Sequence, residues 1–272
     1  MGIHSRGIAA AAAALLLLPL SVQAQDQSST VSFDSVGFTF DQALGSSVNI
    51  TQVPGEPPSP EGPFDLGPRH RAFSLYGPRQ EAKKVPRPID APGVVRFYGT
   101  ADLADYDWAS QQLEGLTSLL EQRPDLTNFT EGDGGGTQSL PFVQFVGAGQ
   151  AIVAGAHYID TPQLAGIAYL TVFRQDVYPF AASDFWYTFQ GLSLDGTRYV
   201  AADFDVEAGM FPTKISRKDV DRLSSAKRWM KYVEQSAETL NAATPDAFTP
   251  ALTSIDALVG SITFEAAPAT GS

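Results

Sequence analysis

The stretch FWYTFQGLSLDGTRYVAADFDVE, residues 185–207, carries the clearest architectural signal in this chain. Aromatic and β-branched side chains alternate with small and polar ones on either side of Asp195-Gly196. That dipeptide favours the positive φ of a tight hairpin turn, so the stretch predicts two antiparallel strands over 185–193 and 197–206. Working upstream, the apolar runs 149–159 and 164–174 flank Asp160-Thr161-Pro162 and predict a second hairpin, giving a four-strand meander late in the chain. Further upstream Val36, Phe38 and Phe40 alternate with Gly37 and Thr39 as a half-buried strand does. Shorter strands are expected over 47–53, 71–76 and 94–98. Residues 54–68 hold six prolines, which cannot donate to a ladder and make a stiff connection or a ligand for an aromatic groove.

Helical periodicity occurs in three places. From Asp107 to Gln122, Ala109, Leu113, Leu116 and Leu120 form one stripe that Pro124 ends. One long helix is expected from an N-cap at Ser216, with Val220, Leu223, Met230, Val233, Ala237 and Leu240 turned to the core. Thr249-Pro250 reads as a cap and first position of a short helix burying Leu252, Ile255, Leu258 and Val259, before a strand over 261–264. The fold class is therefore α+β: an antiparallel sheet with a late strand meander, covered by one long helix and shorter helices.

The domain plan follows from composition. Residues 1–24 have the form of a cleavable signal peptide: Arg6, an apolar run from Ile8 to Leu20 shorter than a membrane span, then Val22 and Ala24 before the cut. Residues 25–30 are expected to be a disordered lead-in, 31–264 a single domain, and 265–272 a disordered tail. The expected location is secreted or periplasmic, with no integral membrane segment after cleavage. The chain has no cysteine, which removes thiolate chemistry and disulfide staples. With 18 basic and 30 acidic residues it is strongly anionic, which argues against a nucleic-acid partner. Charge is uneven: residues 101–207 hold 15 acidic and 3 basic side chains, whereas 208–239 hold 7 basic and 4 acidic ones.

Candidate chemistry is sparse. Asp203, Asp205 and Glu207 alternate along one strand, so their carboxylates share a sheet face. Such a set can ligate Ca²⁺ or supply an acid and a base, and it is equally what a solvated strand face looks like. His70 and His157 both fall in expected strands, with no G-x-S-x-G element to complete a hydrolase triad and too few ligands for zinc. Asp102, Asp105 and Asp107 complement the dipole of the first long helix. The glycine-rich loop at 132–136 lacks the Lys and Ser/Thr of a phosphate-binding loop. Arg217, Arg228 and Lys231 could meet an acidic partner or lipid headgroups, or form a plain solvated face. Phe180, Phe185, Trp186, Tyr187 and Phe189 could line a ligand pocket or fill a core. No cofactor is expected.

Phe185-Trp186-Tyr187-Thr188-Phe189-Gln190-Gly191-Leu192, with Asp195-Gly196 and Tyr199-Val200, resembles an uncharacterised exported bacterial protein family. The likeness extends to Asp160–Tyr169 and Phe248–Ile262 and implies no particular reaction. In order of elements the chain is also similar to the Mog1/PsbP-like α+β sandwich. That likeness implies a binding or accessory role and transfers no catalytic residue. The expected function is an exported non-catalytic protein that binds a protein or small-molecule ligand. The alternative is a hydrolase or calcium-binding protein using Asp203, Asp205 and Glu207.

Overall fold

The computed structural model describes residues 28–57, 67–77, 91–129 and 139–265. The expected signal peptide, most of the proline-rich segment, the 132–136 glycine loop and the tail from residue 266 lie outside the described residues. The chain is α+β with antiparallel sheets, as its strand patterning implies.

β1 (Ser28–Phe33) and β2 (Val36–Asp41) form a hairpin whose two turn residues, Asp34 and Ser35, have φ of 46° and 65°. Ser28–Thr30, expected in a disordered lead-in, are thus paired in a strand. Short β11 (Thr263–Phe264) adds to the other edge of β2. The large sheet is built from two meanders. β3 (Ser47–Val53), β4 (His70–Tyr76) and β5 (Gly93–Gly99) form the first, and β6 (Gly149–Asp160), β7 (Leu164–Arg174), β8 (Phe185–Ser193) and β9 (Arg198–Ala208) the second. β5 pairs antiparallel with β9 and fuses them in the order β3-β4-β5-β9-β8-β7-β6, while β10 (Phe248–Thr249) pairs antiparallel with the end of β9.

Both faces of this sheet are covered. On one, Phe73, Val95, Phe185, Phe189 and Phe204 pack beneath β2, α4 (Ala226–Ala242) and α5 (Leu252–Gly260). On the other, Tyr169, Tyr199 and Ile167 lie under α1 (Thr100–Leu103), α2 (Asp107–Gln122) and the segment around Leu140 and Val143. The aromatic run of 180–189 therefore splits: Phe180, Phe185, Tyr187 and Phe189 enter the first core, and Trp186 joins Phe142 and Phe173 on the opposite face.

Four local expectations are corrected. The single long helix is two: α3 (Arg217–Arg222), held by a Ser216–Asp219 capping box, and α4, with Ser225 extended at its N-cap. The seven-residue gap between Leu223 and Met230 concealed the break, which falls at Ser224-Ser225, residues that favour caps over helix interiors. Met230, assigned to the core stripe, is exposed, and the neighbouring Trp229 packs inward instead. Thr249 belongs to β10 and Ala251 is the N-cap of α5, so Thr249-Pro250 does not open that helix. At the 194–197 turn only Gly196 has positive φ (70°), and Asp195 stays out of that region by capping the turn. Its carboxylate accepts from the Ser193 hydroxyl and from the Thr197 amide and hydroxyl, which draws its pKa down to about 2.

Gly166 on β7 and Gly191 on β8 are directly paired, and the far edge of the Phe189 ring packs against both. A β-carbon at either position would collide with that ring and with neighbouring backbone carbonyls. Gly191→Ala is expected to lower stability by about 1–3 kcal/mol, as overpacking does, measured by urea unfolding. Unchanged stability would mean that the ring moves freely and is no part of the sheet's cohesion.

Candidate binding site

The proposed carboxylate strand does not present a uniform wet face. Asp203 lies mostly buried, its Oδ2 accepting from Arg96 Nη1 at 2.6 Å and from the amide of Gln144, its Oδ1 from the Thr188 hydroxyl at 2.6 Å. Burial pushes its carboxyl pKa up, against the pull of Arg96 and Thr188. Asp205 and Glu207 are exposed. Among the described residues no group of three or more acidic or histidine side chains is arranged to hold a metal ion.

Asp203 ends a buried polar network that straps the 140–144 segment across the sheet. Gln190 accepts from Val143 N–H (3.1 Å) and the Tyr199 hydroxyl (2.8 Å) and donates to Thr188. Gln150 pairs with both backbone groups of Leu140, and the Tyr169 hydroxyl donates to Pro141 C=O. These side chains alternate on strands like core residues, and nothing in their spacing identifies the loop segment they hold. Arg96→Met would strand the buried Asp203 carboxylate, and a loss of about 3–5 kcal/mol is expected in chemical denaturation. The double variant Arg96→Met/Asp203→Leu should recover most of it, and a double variant as unstable as the single would refute the pairing.

The two histidines occupy different environments. His157 follows a bulge in edge strand β6, where Gly155 has φ of 62° and its N–H is taken by Asn241. The imidazole Nδ1 lies 2.8 Å from Gly155 C=O, while Nε2 lies 3.7 Å from Asp256 of α5 and 3.4 Å from the Tyr187 hydroxyl. The Tyr187 hydroxyl in turn donates to Asp256. Asp256, about 100 positions downstream on a different element, gave no local signal of this contact. Its hydrogen bond raises the His157 pKa despite partial burial. A raised histidine pKa stabilises the fold fully below the ordinary value near 6.5, and that contribution fades as pH rises through the folded-state value. His157→Gln should therefore lower the melting temperature at pH 5.5 and converge with the parent above the folded-state pKa. With the side chain 43% exposed, solvent screening keeps the effect to roughly half a kcal/mol. An equal deficit at all pH values would assign the effect to packing.

A cavity of about 670 Å³ opens at the end of the sheet where β5 meets β9. β3 contributes Gln52 and Val53, β5 Phe97 and Tyr98, and the β1–β2 turn Ser35. Its charged lining is largely basic: Arg69, Arg71 and Arg198, with His70, against Asp102 alone among carboxylates. Arg69 pairs with Asp102 at 3.0 Å, and Arg71 with Asp34 of the hairpin turn. Arg198 differs. Its guanidinium lies 4.8 Å above the Phe264 ring and donates to the Ser35 carbonyl and hydroxyl at 3.4 and 3.2 Å, and it forms no ion pair among the described residues. His70 sits 4.8 Å from the Tyr98 ring, and its Nδ1 lies 2.9 Å from Pro68 C=O, which places the neutral-form proton on that nitrogen. Burial lowers its pKa, so it is neutral at neutral pH.

Sequence reasoning passed over this constellation because its members lie at positions 35, 69–71 and 198, each unremarkable alone. The available signal was that residues 101–207 have only three basic side chains, one of which is Arg198. No known protein family matches the chain, and no curated protein matches it either.

Proposed function

We propose that the protein is an exported, non-catalytic binding protein whose sheet-end cavity takes a small organic anion. The observation that carries this reading is Arg198, a cation that forms no ion pair among the described residues, opening onto a cavity lined by Phe97, Tyr98 and Val53. Arginine offers a planar fork matched to carboxylate or phosphate oxygens, and the aromatic walls suit an apolar body attached to that anion. Charge selection is sharpened by context: in a chain of net charge −12, a basic cavity is a local exception that anions alone would favour. The neutral His70 would add a hydrogen-bonding nitrogen without further charge. The order of elements, similar to sandwiches that serve as accessory proteins, and the leader-like residues 1–24 support a role outside the cytoplasm. The alternative use of Asp203, Asp205 and Glu207 has weaker support, since both oxygens of Asp203 are already engaged.

Thermal melting with benzoate, succinate and inorganic phosphate tests the reading. A ligand at about 100 times its Kd should stabilise the fold by about 2.7 kcal/mol, and Arg198→Met should abolish that gain while keeping the unliganded fold. A shift retained in the variant, or none with any anion, would remove the basis for an anion site here.

A further inference from the structure

Among the described residues the basic side chains that form no ion pair, Arg198 apart, are concentrated at one end of the fold. Among the described residues every lysine lies between Lys214 and Lys231: Lys214, Lys218, Lys227 and Lys231. None of the four, nor Arg217 or Arg228, forms an ion pair there, and all six are exposed. Only Arg222 is paired, with Asp219 of its own helix at 3.3 Å. Exposed apolar side chains gather at the same end: Met210 is 36% exposed, Met230 57%, Val177 50% and Tyr178 37%. The loops bearing them are one surface, because Ala182 N–H donates to Pro212 C=O (2.9 Å) and Phe180 N–H to the Tyr232 hydroxyl (2.8 Å). Between them lies a mainly apolar cavity of about 230 Å³ walled by Pro179, Phe211, Pro212, Ile215, Leu223 and Tyr232.

We propose that this surface, formed by the 209–216 loop, α3 and the first half of α4, docks the protein on an anionic lipid bilayer. Long lysine stems can lie along an apolar boundary while their ammonium groups reach headgroup phosphates. Methionine and tyrosine side chains between them enter the headgroup region, and the apolar cavity offers room for the end of an acyl chain. Charge complementarity favours a bilayer over a protein partner. Lysine is depleted in protein–protein interfaces, whereas a diffuse cluster of lysines with flexible apolar side chains suits the smeared potential of a lipid surface.

Titration of the full chain with phosphatidylglycerol-containing vesicles and with pure phosphatidylcholine vesicles tests this, read by co-sedimentation. The apolar run 8–20 contributes equally to every form compared, so the readout is the component that depends on anionic lipid and salt. Each neutralised lysine should weaken that component roughly fivefold, and the variant with Lys214, Lys218, Lys227 and Lys231 all changed to Gln should lose it. Raising salt from about 0.1 M to 1 M shortens the Debye length from about 10 to 3 Å and should have the same effect. Met210→Ser with Met230→Ser should weaken binding at low salt while keeping its dependence on anionic lipid. Melting temperatures should be unchanged, since all six side chains are exposed. Equal binding to both vesicle types, binding insensitive to the lysine changes, or binding to polyglutamate without binding to anionic vesicles would each overturn the proposal, the last in favour of an acidic protein partner.

Discussion

The antiparallel ladder between β5 and β9, running from Gly93 opposite Phe204 to Gly99 opposite Arg198, is the contact on which the architecture depends. Each meander by itself is a small sheet with exposed edges. Joined, they make one twisted layer whose two faces both need cover, and the remaining elements supply it. α4, α5 and the β1–β2 hairpin close one face, and α1, α2 and the strapped 140–144 segment close the other. The junction pairs residues about 100 positions apart, so the loop entropy of closing it must be offset by the two cores it creates.

The same junction generates the basic cavity. At its open end the ladder brings Arg198 beside Phe97 and Tyr98, while β4 delivers His70 and Arg71 and the residue before it supplies Arg69. The β1–β2 turn then reaches over: Ser35 accepts from Arg198, and Asp34 pairs with Arg71. The small sheet is thereby fixed to the large one by guanidinium groups that also line the cavity. An anion of the kind proposed would meet the same guanidinium groups that seat the hairpin.

Polar burial is managed differently on the two faces. The first core is mostly apolar, with Tyr187 hydrogen-bonded at the His157–Asp256 edge and Ser236 of α4 also buried. The second holds two hydrogen-bonded groups, Arg96, Asp203, Thr188, Gln190 and Tyr199 in one and Gln150 with Tyr169 in the other, and both bind the irregular segment they fix in place. An extended loop crossing a sheet face leaves backbone N–H and C=O groups without ladder partners, and the glutamine amides satisfy them.

The amino-acid sequence by itself determined the strands of the late meander, α2, the absence of disulfides and the asymmetry of charge. Each of these is written in a local pattern: an apolar run over 164–174, aromatic alternation over 185–193, a 3.6-residue stripe over 107–122, Gly196 at a turn. Where local patterns were ambiguous the reading failed, as at Ser224-Ser225, where a seven-residue spacing continued the stripe across a helix break. Tertiary structure alone decided which meander edges meet, that Asp203 is buried beside Arg96 rather than solvated, and that Arg69, Arg71 and Arg198 share a cavity. It also placed Asp256 against His157. The physical reason is common to all four: alternation fixes which face of a strand a side chain occupies, but what covers that face is set by chain closure over roughly a hundred residues, which no local period encodes.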